Sequence, residues 1–512
     1  MSEQPAESPD QRLLRPLDYL LAAAPPFVGA LLLYVATLLP DVGLWDTAEM
    51  QTIGPVLGIA HPTGYPTYTL LAWLASVVLQ PFGNEAYRAD LLSALAMAGA
   101  ASLLSVRLLM TTRRAVVGLA AGAVFALAPV AWSWGVRADP HALHVFLAAL
   151  LLVLLGGWQA REATDRRAAG RWLVVAAAVY GLSLGNHALT LLLAPGVAAF
   201  VLLVAPRILW QQWRLVLVVA AVLVLCTGLV YLYLPLRSAM NPPLDYADPQ
   251  TWDRFWYVVL GEQFQGSFGP LPSLVEIGAG VWDELVRNLG LLAGLAVAGV
   301  AVGLVRHPRL TILGLLWFGS TWLFAIGYPN ANIERYYLVP LLVAALWLGL
   351  ALDALADALA EILGRRGRAR AGLVSALAAV VAVLLATGPA VERYDTLDAS
   401  DETWGRRFLE AAFAALEQDA VVISWWSFST PLWYGQHVEG QRPDVTVIDD
   451  RDILDDGYVT VGGAIEAHLG RRPVYVIRQA DDRERLAREY ALTAVPDVPA
   501  ELYRVDGRAE EE

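Results

Sequence analysis

The sequence has a single cysteine and no lysine among its 512 residues. Because Cys226 is alone, neither a disulfide nor a cysteine-based metal site can form within one chain. Charged residues are also scarce, at 17%, whereas hydrophobic residues make up 57% and the mean hydropathy is +0.50. Soluble domains rarely reach such values, so the composition indicates a protein that crosses a bilayer several times.

A surplus of positive charge is also lacking, because the chain carries a formal net charge of −13. Residues 391–512 hold 26 acidic and 13 basic side chains, a net of −13, so residues 1–390 are neutral overall. A nucleic-acid partner needs a basic footprint, which this distribution excludes. The acidic tail is instead expected to be a separate, water-facing part of the protein.

Apolar runs long enough to cross about 30 Å of hydrocarbon predict eleven membrane spans. They lie at 18–39, 89–110, 115–131, 141–158, 171–186, 188–205, 214–236, 286–305, 309–327, 336–357 and 372–390. Residues 1–17 are polar and predict a disordered cytoplasmic N-terminus. The first span lacks a small-residue cleavage site, so it is expected to stay as a membrane helix. No internal repeat is visible, which disfavours an inverted-repeat transporter.

One further apolar run, Pro66–Phe82, is ambiguous, because Pro/Gly-rich stretches flank it. If it does not cross, the basic loops all fall on one side, which the positive-inside rule makes cytoplasmic. These loops contain Arg113/Arg114, Arg161/Arg166/Arg167, Arg207/Arg214, Arg306/Arg309 and Arg365/Arg366/Arg368/Arg370. We therefore predict an interfacial or re-entrant helix at 66–82, resting on aromatic residues such as Tyr68 and Trp73. The loops 40–88, 132–140, 237–285 and 328–335 and the tail then face outside.

The tail, residues 391–512, reads as a small α/β domain. Ala420–Ser424, Val445–Ile448 and Pro473–Ile477 are predicted strands, and helical spacing covers 404–418, 459–469 and 481–490. Alternation of this kind predicts a parallel sheet. Arg508–Glu512 is expected to be frayed.

The first external loop, 40–88, holds an unusual group of ionisable residues. Asp46 and Glu49 would share one face of a helix. They are either a general base with a second acid that orients it or binds an ion, or ordinary first-turn acids at a helix N-cap. Further on, the prolines and the glycine of His61-Pro62-Thr63-Gly64-Tyr65-Pro66 fix a rigid turn. Its histidine either donates to a phosphate or another acceptor, or is merely solvated.

This loop resembles the signature of a family once known only as a domain of unknown function, which includes the metazoan endoplasmic-reticulum O-mannosyltransferase of plexin-type receptor domains. The family pattern W-D-x-G-E-F, then G-x-x-H-P-P-G-x-P-x-Y, is matched by Leu44–Glu49 and Gly58–Tyr68. Ala48 replaces a glycine and Thr63 replaces the second proline. Neither departure removes an ionisable group.

Further matches follow in the same order along residues 18–450. They are Arg88-Ala89-Asp90-Leu91-Leu92-Ser93-Ala94-Leu95, Ala138-Asp139-Pro140-His141-Ala142-Leu143, Gly181-Leu182-Ser183-Leu184-Gly185-Asn186-His187, Leu234-Pro235-Leu236-Arg237-Ser238, Asn241-Pro242-Pro243 and Tyr434-Gly435-Gln436 with Arg442-Pro443-Asp444-Val445. Asp90 stands where the family has asparagine, and Asp139 where it has glutamate. Each match is weak by itself, whereas the ordered set is specific.

The resemblance implies a polytopic α-helical membrane protein of the GT-C type. Its catalytic domain would span 18–390, with interfacial helices in the first external loop and the small α/β domain behind it. Such enzymes move a sugar from a polyprenyl-phosphate donor. We expect a hexose, with mannose favoured, to pass to a protein or glycan hydroxyl on the non-cytoplasmic face, with inversion. Membrane lipids are further partners.

Site residues are carried over on the same basis. Asp46 is the expected general base, together with Glu49. The leaving phosphate needs positive charge or donors, for which Arg237 at the end of a span is the first choice. Further donor- or phosphate-binding candidates are His61, His187, Arg335 and Asn332, and Asp139 is a candidate ion or second acidic site. No cofactor is certain; a divalent metal is compatible with the acids, and its ligands are unknown.

Structural interpretations stay open for each of these residues. Arg237 could anchor a helix end at the headgroups, Arg335 could pair with Glu334, and His187 could make an interhelical hydrogen bond. Asp139 could cap the helix that starts near His141. The aromatic pairs Trp425-Trp426 and Trp433-Tyr434 either stack on sugars or pack in the core of the tail.

Two other functions compete with the glycosyltransferase hypothesis. One is a membrane transporter or a lipid or glycolipid flippase, which would need charged residues near the midplane and repeated halves. The other is a non-catalytic assembly protein that binds through its acidic tail. The expected location is a prokaryotic plasma membrane, with a cytoplasmic N-terminus and an extracytoplasmic C-terminal domain.

Overall fold

The computed structural model describes residues 14–328, 332–362, 368–450 and 457–509. Several predictions concern residues outside these ranges. They are the disorder of residues 1–13, the loop residues 329–331, the placement of Arg365 and Arg366, and the fraying of residues 510–512. The predicted fraying of Arg508 is wrong, because Arg508 ends the last strand and pairs there with Tyr490.

Helices make up the first part of the chain. They are α1 (Pro16–Ala36), α2 (Trp45–Val56), α3 (Pro66–Val78), α4 (Glu85–Thr112), α5 (Ala115–Leu127), α6 (Pro129–Gly135), α7 (Pro140–Glu162), α8 (Arg166–Asn186), α9 (Ala194–Val204), α10 (Ile208–Gln211), α11 (Trp213–Tyr231), α12 (Tyr233–Ser238), α13 (Trp252–Leu260), α14 (Leu274–Leu289), α15 (Ala293–Arg306), α16 (Pro308–Gly327), α17 (Leu338–Ile362), α18 (Arg368–Glu392) and α19 (Tyr394–Leu397). Short 3₁₀ turns lie at Ala188–Leu193, Glu262–Ser267, Gly290–Leu292 and Ile333–Tyr337.

The predicted multi-span fold class is confirmed. Within the described ranges, nine helical stretches are long and apolar enough to cross a membrane, or ten if the bent pair α5–α6 is one span. That pair bends by 68° where Pro129 begins α6. The one predicted span that does not reach this length is 188–205. It is a shorter apolar stretch in the described structure, Ala188–Val204, which begins with a 3₁₀ turn.

The spans leave two distinct ends of the bundle, and basic loops gather at one of them. Leu14 at the start of α1 lines the same cavity as Arg113, Arg161 and Arg306. We call this the arginine end. At the opposite end, which we call the site end, the start of α7 and the residues before α17 meet the loop after α1. Because α1 leaves the arginine end and α4 returns to it, the run containing α3 does not reverse the chain direction, as predicted.

The C-terminal part forms a five-stranded sheet with helices around it. It contains α20 (Trp404–Ala415), β1 (Val421–Ser424), α21 (Trp426–His437), β2 (Thr446–Asp449), α22 (Val461–His468), β3 (Val474–Ile477), α23 (Ala480–Leu486), β4 (Tyr490–Ala494) and β5 (Leu502–Arg508). The strand order is β2-β1-β3-β5-β4, with β1 parallel to β2 and β3. The three predicted strands and their parallel pairing are therefore confirmed.

Two strands and two helices of this sheet domain differ from the prediction. Strands β5 and β4 extend the sheet in antiparallel fashion, and the predicted helix 481–490 ends at Leu486 because Tyr490 already begins β4. The edge strand β4 buries little besides Tyr490, so it lacks the continuous apolar run of β1. Helix α21 was not predicted; it holds Pro431 in its interior, which disfavours a helix.

The sheet domain is attached to the membrane helices by a small set of buried contacts. Arg406 of α20 donates to both carboxylate oxygens of Asp41, at 3.0 and 2.6 Å, and also binds Glu439. The Tyr434 hydroxyl accepts the Ala86 backbone N–H at 3.2 Å. A Cβ on Gly405 would lie 2.2 Å from the Val42 carbonyl oxygen, so only glycine allows this approach. These contacts bring α21 against α2.

Candidate active site

Helix α2 presents both predicted acids from one face. Leu44 is the N-cap residue and offers no side-chain hydrogen bond, so Asp46 is not the cap of this helix. Glu49 is 2% exposed, and the Asp46 side chain retains about 20% of its accessible surface. Two carboxylates this close to a membrane boundary are costly unless each has a partner. The structure supplies one for each of them.

A second buried carboxylate network holds α2 in position. The Gln51 side-chain amide donates to both oxygens of Asp90 in α4 at 3.0 Å, and its oxygen accepts the Gly43 N–H at 2.9 Å. Asp90 also accepts the Ala138 N–H at 2.6 Å. Asp90, which stands where the family has asparagine, therefore fixes both α2 and the chain just before Asp139.

Asp46 receives one donor on each carboxylate oxygen. The Arg335 guanidinium donates to Oδ2 at 2.7 Å, and the Trp426 indole N–H donates to Oδ1 at 2.8 Å. Burial opposes ionisation of this carboxyl group, but Arg335 and His61 outweigh it and hold the pKa of Asp46 below its usual range. Asp46 is therefore ionised at neutral pH, and each oxygen keeps a further lone pair.

Arg335 joins the two predicted acidic positions. Its guanidinium also donates to Asp139 Oδ2 at 3.0 Å, and the side chain is only 8% exposed. Its charge is therefore matched by two carboxylates, and the local pairing with Glu334 is not seen. Asp139 meanwhile caps α7 by accepting the His141 N–H at 2.7 Å. The capping interpretation of Asp139 is thus confirmed, and its role as an ion or second acidic site stays a prediction.

Glu49 holds the histidine of the rigid turn. One carboxylate oxygen accepts the His61 backbone N–H at 2.8 Å, and the other lies against the ring nitrogen Nδ1. The Tyr65 hydroxyl lies 3.1 Å from the other ring nitrogen of His61. His61 is 7% exposed, so the interpretation of a merely solvated histidine is wrong.

Asp46, Glu49 and His61 could together hold a divalent cation. One ligand atom from each lies within 4.8 Å of the others. Two carboxylates and one imidazole suit ions such as Mn²⁺ or Zn²⁺. These atoms also bind Arg335, Trp426 and one another, so a cation would replace part of this network.

Two further buried histidines were not predicted as site residues. His141 and His144 lie one helical turn apart on α7, and the His141 and His187 rings are 4.3 Å apart. His187 accepts the Leu189 N–H on Nδ1 and caps the 3₁₀ turn, instead of bonding to another helix. The i, i+3 spacing of His141 and His144 directly after Asp139 was the sequence signal that could have revealed them.

The remaining phosphate candidates separate into one near the site and one away from it. Asn332 precedes Arg335 and has a left-handed backbone conformation. It lines the cavity that also contains Asp46 and Arg335. Arg237 lies elsewhere: its guanidinium donates to the backbone carbonyls of Leu57 and Val56 at 2.7 and 3.0 Å. It thus caps the C-terminal end of α2, the end opposite Asp46. The structure does not bring Arg237 together with the acids.

A cavity of about 300 Å³ opens on the Arg335 side of Asp46. Its polar end holds Asp46, His61, His187 and Arg335, and the rest of its lining is mostly apolar. The apolar part comprises Leu189, Leu191, Leu192, Leu260, Phe264, Phe268 and Phe324. We call it the apolar cavity. Leu191 and Leu260 are 60% and 54% exposed, so the rim of the apolar cavity lies on the outer surface of the helix bundle.

A second cavity, of about 560 Å³, lies on the Glu49 side. It is formed between residues 242–254 and the sheet domain, and we call it the polar cavity. Its lining includes Glu49, Asp245, Asp248, Arg254, Trp426, Trp433, Gln436, His437 and Thr446. Trp426 therefore faces this cavity while its N–H binds Asp46. Of the two aromatic pairs, Trp426 and Trp433 line a cavity, whereas Tyr434 is fully buried.

The described helices and the sheet domain form a multi-pass membrane fold of the GT-C type. ArnT from Cupriavidus metallidurans bound to undecaprenyl phosphate has a similar structure, with a TM-score of 0.58, 15% identity, and coverage of 94% of this chain and 97% of that chain. The archaeal oligosaccharyltransferase AglB from Archaeoglobus fulgidus, in complex with an inhibitory peptide and a dolichol-phosphate, has a TM-score of 0.52 at 15% identity. That match covers 95% of this chain and 74% of the other.

The sequence comparisons point to one family. Residues 46–209 match the family model described as Protein O-mannosyl-transferase TMEM260 N-terminal domain. The mouse Protein O-mannosyl-transferase TMEM260 is 27% identical over 461 residues, or 85% of this chain. The match covers only 63% of the mouse protein's own length. The predicted resemblance is confirmed by these findings.

Proposed function

We propose that this protein is a glycosyltransferase that moves a hexose, with mannose favoured, from a polyprenyl-phosphate sugar to a protein or glycan hydroxyl. One observation carries the proposal. The ionised Asp46 lies at the inner end of the apolar cavity and is joined through Trp426 to the polar cavity. The name of the mouse relative favours mannose as the sugar and a protein as the acceptor.

The apolar cavity is proposed to bind the donor. A polyprenyl chain needs an apolar, lipid-facing surface, which the exposed Leu191 and Leu260 provide. The phosphate needs cationic or neutral N–H donors, and the polar end of this cavity holds Arg335 and His187. Both carry a buried N–H position without a hydrogen-bond partner among the described residues, Arg335 at Nε and His187 at Nε2. ArnT and AglB have been solved with polyprenyl-type phosphates, which supports this assignment.

The polar cavity is proposed to bind the acceptor. Its lining offers carboxylates, an arginine, amide and hydroxyl groups, and two indole rings. Such a mixture suits a polypeptide or glycan, because both present hydrogen-bonding groups and flat apolar faces. Glu49 and Trp426 lie at the boundary with the first cavity, so an acceptor hydroxyl placed there would be near Asp46.

The proposed chemistry is a single displacement at the anomeric carbon. The acceptor oxygen forms a bond to this carbon as the bond to the phosphate oxygen breaks, which inverts the configuration. The hydroxyl proton passes to Asp46, and the bonding electron pair leaves with polyprenyl phosphate. Arg335 balances the charge that develops on the phosphate. Because the pKa of Asp46 is low, its carboxylate is always available as an acceptor, although it is a weak base.

Arg237 is no longer proposed as the phosphate ligand, since its guanidinium is committed to the end of α2. Glu49 is proposed to position His61 beside the reaction centre. A divalent cation, if the protein uses one, would be held by Asp46, Glu49 and His61 and would supply positive charge near the leaving phosphate.

The orientation and domain limits stay proposals as well. We infer from the positive-inside rule that the arginine end is cytoplasmic and the site end is not. The catalytic domain would then span 18–390 and the extracytoplasmic domain 391–512. A prokaryotic plasma membrane stays a prediction, and the relative from mouse gives it no support.

The test is sugar transfer by the purified full chain, given polyprenyl-phosphate mannose and a folded acceptor protein. We expect wild type and Asp253→Asn, an exposed acid of α13, to transfer equally. Asp46→Asn should be slower by roughly 10²–10⁴, the usual contribution of a general base. Equal rates for wild type and Asp46→Asn would contradict the mechanism. Lipid scrambling without transfer by any variant would favour the transporter hypothesis.

A further inference from the structure

A third cavity lies at the arginine end, opposite the candidate active site. Its volume is about 550 Å³, and it lies between the start of α1, the ends of α4 and α7, and the start of α16. Five arginines line it together with His307: Arg107, Arg113, Arg161, Arg306 and Arg309. No carboxylate is among its described lining residues. We call it the arginine cavity.

Only one of the five arginines is neutralised by carboxylates within the described part of the chain. Arg306 pairs with Asp357 at 2.7 Å and lies 3.7 Å from Asp353. Arg161 stacks over Trp172 and donates to the Gly157 carbonyl at 3.0 Å, neither of which cancels its charge. Among described residues, neither Arg113 nor Arg309 lies within ion-pair distance of a carboxylate. The cavity therefore keeps a large positive surplus.

The most informative member is Arg107, because it is buried. The side chain is 4% exposed and donates to the Thr111 hydroxyl at 2.7 Å. Its Nε has no hydrogen-bond partner among the described residues. Burying a guanidinium without a counter-charge is costly, and a bound anion is the usual remedy. Tyr19, Thr111 and Gln159 add neutral donors to the lining. Such a set of donors suits the oxygens of a phosphate.

We propose that the arginine cavity binds the phosphate of an anionic phospholipid headgroup. It lies at one end of the spans, where headgroups are found, and Leu14, Met110 and Leu310 give it an apolar border. Basic pockets between membrane helices are a recurrent way of binding such lipids. A general attraction of arginines to a membrane surface would not need a buried guanidinium. The proposal is independent of the reaction at the site end.

The test compares two double variants of the full chain. Arg113→Gln with Arg309→Gln removes two exposed charges from the cavity, so the protein should still fold. Arg167→Gln with Arg171→Gln removes two exposed arginines near the same end that do not line it. Bound lipid is measured by native mass spectrometry after incubation with dioleoylphosphatidylglycerol or dioleoylphosphatidylcholine. Thermal unfolding is followed in parallel with each lipid and with inorganic phosphate.

We expect wild type and the control to retain phosphatidylglycerol in preference to phosphatidylcholine and to unfold at a higher temperature with it. The cavity variant should bind it roughly 10- to 30-fold more weakly, the loss expected for two arginines at an anionic surface. Equal losses in both double variants would overturn the proposal, because they would indicate a diffuse charge effect. Stabilisation by inorganic phosphate but not by phosphatidylglycerol would overturn the lipid assignment.

Discussion

The apolar cavity and the polar cavity lie on opposite sides of the same few residues, and their linings differ in kind. Leucine and phenylalanine side chains surround the first, with the charged groups at one end. Charged, amide and indole groups are spread over the second, and much of it comes from the sheet domain. On the proposed function, the site for the lipid-linked donor lies outside the sheet domain, whereas the site for the polar acceptor includes residues of the sheet domain.

Trp426 and Arg335 connect the two cavities through Asp46. Both donate to Asp46, one from the sheet domain and one from the residues before α17. The carboxylate is therefore oriented only when the sheet domain is attached to the membrane helices. Variants that act on one cavity, on the other, or on the junction should have distinguishable effects.

Apart from substitution of Asp46 itself, Arg335→Gln should have the largest effect, because it removes the guanidinium charge from the apolar cavity and unpairs two acids. Transfer should fall by roughly 10²–10³, as is usual when a donor to a developing anion is lost. The free energy of unfolding should fall by about 3–5 kcal/mol, since Asp139 and Asp46 lose their common partner. Transfer assays and thermal unfolding measure the two losses. Arg171→Gln, an exposed arginine near the other end, is the control; an Arg335→Gln enzyme with unchanged kcat would contradict the role of Arg335.

Trp426→Phe tests the junction, because it removes the N–H to Asp46 but keeps a ring in the polar cavity. A hydrogen bond to a charged group contributes about 1.5–3 kcal/mol, so we expect kcat to fall at least about 10-fold. Trp425→Phe is the matched control, since Trp425 packs against Trp45 and Phe428. Steady-state kinetics at saturating donor and acceptor separate the two variants. If both lose the same activity, general packing explains the result better than orientation of Asp46.

Two variants away from Trp426 should affect the binding of the two substrates separately. Leu191→Gln, on the rim of the apolar cavity, should raise the KM of the lipid donor by roughly 5- to 10-fold and leave the acceptor KM unchanged. Arg254→Ala, in the polar cavity, should raise the acceptor KM by roughly 5-fold and leave the donor KM unchanged. Initial rates with each substrate varied in turn give both constants. A crossed pattern would reverse the assignment of the cavities.

The smallest effect expected is that of moderate acid on the ionisation of Asp46. Its folded-state pKa is lowered, chiefly by Arg335 and His61 against the effect of burial. The stabilisation from its ion pair is thus complete above the unfolded pKa of about 3.9 and is lost as the pH falls through the lower folded value. We expect kcat/KM of wild type to change by less than about twofold between pH 7 and 5. An acidic limb near pH 6 would instead point to a histidine as the essential group.

The sequence predicted most of the spans because apolar runs are a local pattern. The spacing of Asp46 and Glu49 likewise predicted that they share one helix, whereas their catalytic role stays a prediction. Apolar runs and basic loops determine where helices cross, and residues of three predicted basic loops, Arg113, Arg161 and Arg306, line one cavity at the arginine end. The parallel strands β1 and β3 are continuous buried runs of the kind that sequence reveals. The edge strand β4 is mostly exposed, so its sequence carries little pattern.

What the sequence could not supply was pairing between distant residues. Arg335 binds Asp46 and Asp139, which are 289 and 196 positions away, and no local motif encodes these contacts. Sequence could not choose between sugar stacking and core packing for Trp426, because only the attachment of the sheet domain brings it to Asp46. Arg237 was preferred for the phosphate because it ends a span, yet its guanidinium faces carbonyls left unpaired by α2. In each case the contact depends on how the helices pack in three dimensions, which residue type and local spacing do not reveal.

The proposed donor site can be tested directly by a structure of the protein with a non-hydrolysable polyprenyl-phosphate sugar. The phosphate is predicted to lie within hydrogen-bond distance of Arg335 in the apolar cavity, with the anomeric carbon between it and Asp46. The proposed donor site would be contradicted if the phosphate contacted Arg237 or entered the polar cavity. Arg335 would then stay bonded only to Asp46 and Asp139.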